Sequence, residues 1–246
     1  MPKAPGSFPP NGLRFLTSAF FVMMLGVIFG GRIGYVLIYG REFWALDPWY
    51  PFKITQGGLG IPGGIFLGVL TGLVVVKVKK LPALDLLDVV APALPVAQAI
   101  GRFGNWFNQE LYGQPTDLPW GLEIDPAHRA PGFEEYATFH PTFLYESLWC
   151  VLVALIVIWA DKRFQLGHGR AFALYVFAYC VGRLVFELVR IDNATLILGV
   201  RVNVFTSILV AIAAAVYFVI SAIKSPGREA SVYREPTDRE PQPVPV

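Results

Sequence analysis

The sequence is poor in charge. Only 15% of its 246 residues are Asp, Glu, Lys or Arg, against about 25% in an average soluble domain. The formal net charge of +2 is too small to suggest a nucleic-acid partner. Cysteine is scarce too. Cys150 and Cys180 lie inside apolar runs, so a disulfide framework is not expected. No Cys-x-x-Cys spacing exists, so no zinc site is expected either. No internal repeat is visible, which weakens a transporter built from inverted repeats. The first residues lack a short apolar region followed by a small-residue cleavage site, so no cleavable leader is expected.

Apolar residues make up 54% of the chain and are blocked into long runs. Six segments are expected to enter a bilayer: 15–39, 57–76, 86–101, 143–160, 171–189 and 202–223. The third is short and broken by Pro92 and Pro95. The predicted fold is therefore all-α, a polytopic membrane helix bundle. Of the 20 Lys and Arg, twelve fall where an N-in, C-in arrangement puts them inside and six outside. Arg32 and Arg183 remain within the membrane. This orientation predicts a cytoplasmic segment at 1–14, a membrane domain at 15–223 and a polar, disordered cytoplasmic tail at 224–246. A small extracytoplasmic cap, about 102–142, joins the third and fourth segments. Its Trp106, Tyr112, Trp120 and Tyr136 suit a membrane interface.

The chemistry concentrates in the run GRFGNWFNQELYG at 101–113. Arg102, Asn105, Asn108 and Glu110 cluster where a membrane segment ends. A planar guanidinium there suits a phosphate, although an arginine also snorkels to headgroups. In the fifth segment, Tyr179, Arg183, Glu187 and Arg190 are spaced to fall within about 80° of a helix surface. A polar stripe on a membrane helix faces the protein interior or a wet cavity. The competing reading is an Arg183–Glu187 pair that locks helices together. Arg32 sits among small residues that allow close packing, one turn from Tyr35. His140 is one of three histidines and precedes the fourth segment. It is a candidate base, or it holds the cap by a hydrogen bond. His128 and His168 are expected in solvated loops. The match of Gly58 to Gly63 to a dinucleotide fingerprint fails on context, because no strand precedes it.

The run at 101–113 resembles the signature of the prolipoprotein diacylglyceryl transferases, G-R-x-G-N-x-x-N-x-E-x-x-G, at every fixed position. The similarity extends over 15–223, through Gly30 to Tyr35, Gly57-Gly58, His140 to Glu146 and Tyr179 to Arg190. Residues 119–124 are similar to actinobacterial members in particular. The resemblance implies an enzyme of the bacterial plasma (inner) membrane. It would move the diacylglyceryl group of phosphatidylglycerol to the lipobox cysteine of prolipoprotein signal peptides, releasing glycerol phosphate. It implies catalytic roles for Arg102, Arg183, His140 and Tyr179. Arg102, Asn105, Asn108, Glu110, Gly113, Glu187 and Arg32 would bind substrate. No metal or cofactor is expected. Two positions depart from the pattern. Pro62 stands where many members carry a histidine, and Gln56 where an aspartate is usual. Members generally begin with a further helix, whereas about fourteen residues precede the first segment here. The alternative readings are an N-terminally shortened homologue that binds lipid without turnover, and a small-molecule transporter.

Overall fold

The computed structural model describes residues 12–44, 47, 49, 52–53, 60–78, 82–192 and 194–229, with the side chains of 12–20, 39, 41–44 and 61 set apart. Gln56, the Gly57-Gly58 pair, most of the 1–14 segment and the tail beyond 229 lie outside the described residues. The chain divides into two units, 1–83 with 233–246 and 84–232.

In the first unit, α1 (Gly12–Trp44) packs along α2 (Ile61–Val78). Helices in lipid gain little from burying apolar side chains, so close approach through small residues supplies the contact. A Cβ on Gly34 would lie 2.8 Å from the Gly63 Cα, so neither position tolerates a side chain. The Gly60 N–H donates to the Gly31 carbonyl at 2.7 Å. The described part of the Gly58–Gly63 run is therefore a packing surface. Pro62 falls in the first turn of α2, where its missing N–H costs nothing. Arg32 is buried; its Nη2 donates to the Lys53 carbonyl at 3.3 Å, and its guanidinium lies 5.7 Å from the Tyr35 ring centroid.

The second unit begins with α3 (Ala83–Val90) and α4 (Ala93–Asn108), bent by 46° within the short, proline-broken segment expected there. Pro92 and Pro95 cause the break, since proline removes a helical N–H and disfavours helix in the preceding residue. Next come α5 (Thr142–Phe164), α6 (Arg170–Glu187) and α7 (Val202–Lys224). Ala91, Val153, Val157, Ala160, Leu166, Ala171 and Tyr175 form their core. Cys150 and Cys180 are buried and free. The α5 span is 39% buried and the α7 span 17%, so α5 is central and α7 shows an apolar face outward.

Among the described residues, three helices are long and apolar enough to cross a membrane: α1 through 21–38, α5 and α7. Taken together as one broken span, the bent pair would make a fourth. The two other expected segments fall short for physical reasons. The apolar part of α2 is short, and α6 carries Arg170, Arg183 and Glu187. The chain is a membrane protein.

Residues 102–108, expected in the loop between the third and fourth segments, continue α4. Helix α4 ends at Gln109, which adopts a left-handed backbone (φ 52°). Strands β1 (Leu122–Glu123) and β2 (Thr138–Phe139) then pair antiparallel over a core of Tyr112, Ile124 and Phe139. Tyr112 is thus buried and its hydroxyl donates to the His128 carbonyl at 2.7 Å, while Trp120 and Tyr136 stay exposed. A second hairpin, β3 (Leu196–Ile197) with β4 (Val200–Arg201), precedes α7 and was not foreseen. The start of the tail is ordered rather than free. Arg228 bonds the Leu166 carbonyl at 3.0 Å and pairs with Asp161, and Glu229 reaches His168. His168, expected in solvent, is half-buried with its Nδ1 3.0 Å from Glu229.

Candidate functional site

Helices α4, α5 and α6 bring three of the expected residues to one small cavity. It is lined by Arg102, Glu146, Trp149, Cys150, Tyr179, Arg183 and Phe186. The spacing explains the arrangement. Glu146, Trp149 and Cys150 stand at i, i+3 and i+4 on α5, and Tyr179, Arg183 and Phe186 at i, i+4 and i+7 on α6. Each set occupies one face of its helix.

Behind this cavity the charged side chains form a single alternating chain. Arg102 Nε meets Glu146 Oε2 at 2.6 Å. The other Glu146 oxygen lies 3.9 Å from Arg190 Nη1. Arg190 Nε donates to Asp192 Oδ1 at 2.6 Å, and Arg201 Nη2 to Asp192 Oδ2 at 3.0 Å. Arg201 Nε then lies 2.5 Å from Glu187 Oε2, and Glu187 Oε1 is 2.6 Å from Arg183 Nη2. Glu146 Oε2 and Glu187 Oε2 meet their arginines off the hydrogen-bond axis, so these are charge contacts rather than aligned bonds. Asn203 Nδ2 completes the Glu187 shell at 2.9 Å. Burial works against ionisation of Asp192, yet the hydrogen bond and charge of Arg190, with Arg201, hold its carboxyl below the usual range.

Four arginines and three carboxylates leave one surplus positive charge. Both ends of the chain are arginines, and both line the cavity. Burying an uncompensated charge is costly, so a cavity with this rim favours an anion.

By its spacing, Arg190 belongs to the α6 stripe. The structure corrects this: α6 ends at Glu187, and Arg190 sits in the following turn, bridged antiparallel to Gly113. Asn105 and Asn108 do not line the cavity. Both donate to Glu110 Oε1, at 3.0 and 3.1 Å, around the left-handed Gln109 and Leu111. Gln109 ties this knot to the cap through two hydrogen bonds with Asp125, at 2.7 and 2.8 Å. Gly113 is packed so closely that a Cβ would lie 2.8 Å from both His140 Cβ and Val189 Cγ1. His140 is also outside the cavity lining; its Nδ1 is 3.2 Å from the Tyr145 hydroxyl, which accepts from Trp120 Nε1 at 2.9 Å. Arg32 belongs to the other unit. Glu146 was legible only as part of a family-like run, and Asp192, Arg201 and Asn203 went unseen. The one signal for them was polar residues bracketing the start of a membrane helix. Among the described residues, no group of three His, Cys, Asp or Glu side chains could hold a metal ion.

The family model described as prolipoprotein diacylglyceryl transferase matches residues 9–220. The chain is 54% identical over 218 residues to the phosphatidylglycerol–prolipoprotein diacylglyceryl transferase of Streptomyces griseus, covering 87% of this chain and 65% of that relative. It is 53% identical over 209 residues to transferase 1 of that name in Streptomyces coelicolor, covering 83% and 60%. To the protein of that name in Corynebacterium glutamicum it is 46% identical over 234 residues, covering 90% and 73%. The chain thus spans less than two thirds of the length of these Streptomyces relatives.

Proposed function

We propose a function for this chain from the premise that it belongs to the prolipoprotein diacylglyceryl transferase family. It transfers the diacylglyceryl group of phosphatidylglycerol to the lipobox cysteine of a prolipoprotein. It does so as a multi-pass protein of the bacterial plasma membrane. The relatives' names supply the two substrates. The observation that carries the reading is the chain of seven charges whose two ends, Arg102 and Arg183, face one cavity. A phosphodiester carries one negative charge and so balances the surplus.

In the reaction, the substrate sulfur attacks the diacylglycerol carbon that bears the phosphate. The S–C bond forms, the C–O bond breaks, and its electron pair leaves with glycerol phosphate. Charge builds on that leaving group, where Arg102 and Arg183 are fixed in advance to receive it. Tyr179 lines the same cavity and orients the headgroup. The knot of Asn105, Asn108 and Glu110 engages the glycerol hydroxyls at the helix end, and Arg32 lines the lipid path in its own unit. The thiol must lose its proton to attack. Glu146 is engaged by two arginines; we assign the proton acceptor to His140, coupled to Tyr145.

The test is thioether formation on a lipobox peptide, with phosphatidylglycerol in mixed micelles, followed by mass spectrometry. The chain is expected to form the product, and Arg102→Ala to abolish it. A chain that retains phosphatidylglycerol yet forms no thioether would instead be a lipid-binding homologue.

A further inference from the structure

Arg201 is not among the residues that line the cavity. It contacts Glu187 at 2.5 Å, Asp192 Oδ2 at 3.0 Å, and the carbonyls of Arg190 and Asp192 at 3.2 and 3.1 Å. Its backbone is fixed as well, because it pairs with Leu196 in the β3–β4 hairpin and precedes the first turn of α7. So many partners make it one of the best-held side chains in the unit, and its target is the carboxylate that grips Arg183.

The Glu187 side chain is wholly buried. If Arg183 were its sole cation, the pair would be neutral and the cavity would lose half of its positive rim. Arg201 meets the far oxygen of that carboxylate. It neutralises Glu187 from behind and holds it in one orientation, so the charge of Arg183 remains directed at the cavity. Without Arg201 the chain would hold three arginines and three carboxylates, with no surplus for an anion.

We infer that Arg201 is a positioning residue for the transfer, acting on Arg183 through Glu187. The inference rests on the phosphate-binding role proposed for Arg183. A plain structural clamp between α6 and α7 would use the same contacts, so charge has to be separated from shape.

Three full-length variants do this: Arg201→Gln, Arg201→Lys and the double variant Glu187→Gln/Arg201→Gln. Turnover is measured with phosphatidylglycerol and a lipobox peptide. Lipid preference is measured without turnover, by native mass spectrometry with phosphatidylglycerol against phosphatidylcholine. Arg201→Gln is expected to raise KM for phosphatidylglycerol about tenfold, with a smaller fall in kcat. Arg201→Lys is expected to recover most of that loss. The double variant removes one charge of each sign and restores the surplus, so it should regain the preference for the anionic lipid. It also leaves no buried carboxylate oxygen facing the vacated Arg201 position, so it serves where Arg201→Gln does not fold. The role is overturned by an unchanged KM and lipid preference in folded Arg201→Gln, by Arg201→Lys as impaired as Arg201→Gln, or by a folded double variant that stays indifferent to lipid charge. A wild-type chain without anionic preference refutes the reading of Arg183 instead, a result distinct from loss of the preference in Arg201→Gln alone.

Discussion

The two ends of the 84–232 unit use charged side chains for opposite purposes. At the tail end, charges serve backbone. Asp88 accepts from the N–H groups of Gly169 and Phe172 at 2.8 and 3.0 Å and so caps α6. Arg170 binds the carbonyls of Gly167 and Gly227, and Arg228 that of Leu166. The Tyr217 hydroxyl donates to the His168 carbonyl at 2.7 Å. Each interaction closes a loop or fastens the tail. At the cap end, charges mainly address one another, from Arg102 through to Arg183, and the chain opens at a cavity. The difference shows how a binding site is told from a brace when both are rich in charge: in the brace the charged groups end on backbone, and in the site the chain of ion pairs ends at a cavity.

Removing members from each end sharpens that contrast. Arg102→Ala strips one end of the chain, and kcat/KM for thioether formation should fall by about a thousandfold or more. Glu187→Gln leaves the half-buried Arg183 without its carboxylate and close to Arg201. Unfolding in detergent should then show a loss of about 3–5 kcal/mol, along with impaired transfer. At the tail end, Asp88→Ala should cost about 1 kcal/mol in the same unfolding measurement, because a helix cap is lost, while KM for phosphatidylglycerol stays put. An equal loss of transfer in Asp88→Ala would erase the distinction between brace and site.

The smallest effect is in acid. The folded Asp192 carboxyl titrates below its ordinary value of about 3.9, so its contribution is fully present above that pH and is lost as pH falls through the lower folded value. Stability followed from pH 5 downward should therefore decline less steeply below about pH 4 in Asp192→Asn than in the unaltered chain. Identical acid limbs would remove Asp192 from the chain.

The sequence made some of this readable. Long apolar runs announced α1, α5 and α7, because a bilayer imposes length and hydropathy directly. The pairing of Arg183 with Glu187 was visible, because four residues make one helical turn. The bend at Ala91–Pro92 was foreshadowed by its prolines. The remaining chain partners were hidden because Asp192 and Arg201 meet only when the β3–β4 hairpin folds back, and no periodicity encodes a turn of that kind. The helical start of the 102–142 loop was hidden because a signature rich in Gly and Asn looks like a loop. In the structure, residues 101–108 are helical, and the chain turns only where Gln109 and Leu111 adopt left-handed backbone.

The depth of the charge chain carries a practical consequence. Glu187 is wholly buried, and the Arg190 and Glu146 side chains are only 5% and 6% exposed. Mobile ions screen charges in water over about 10 Å at 0.1 M salt, but they reach buried pairs poorly. Attraction of an anionic headgroup to this cavity should therefore persist as ionic strength rises, whereas binding to a superficial basic patch would fade. Added salt in the buffer thus becomes a filter that separates lipid held inside the protein from lipid merely adhering to its surface.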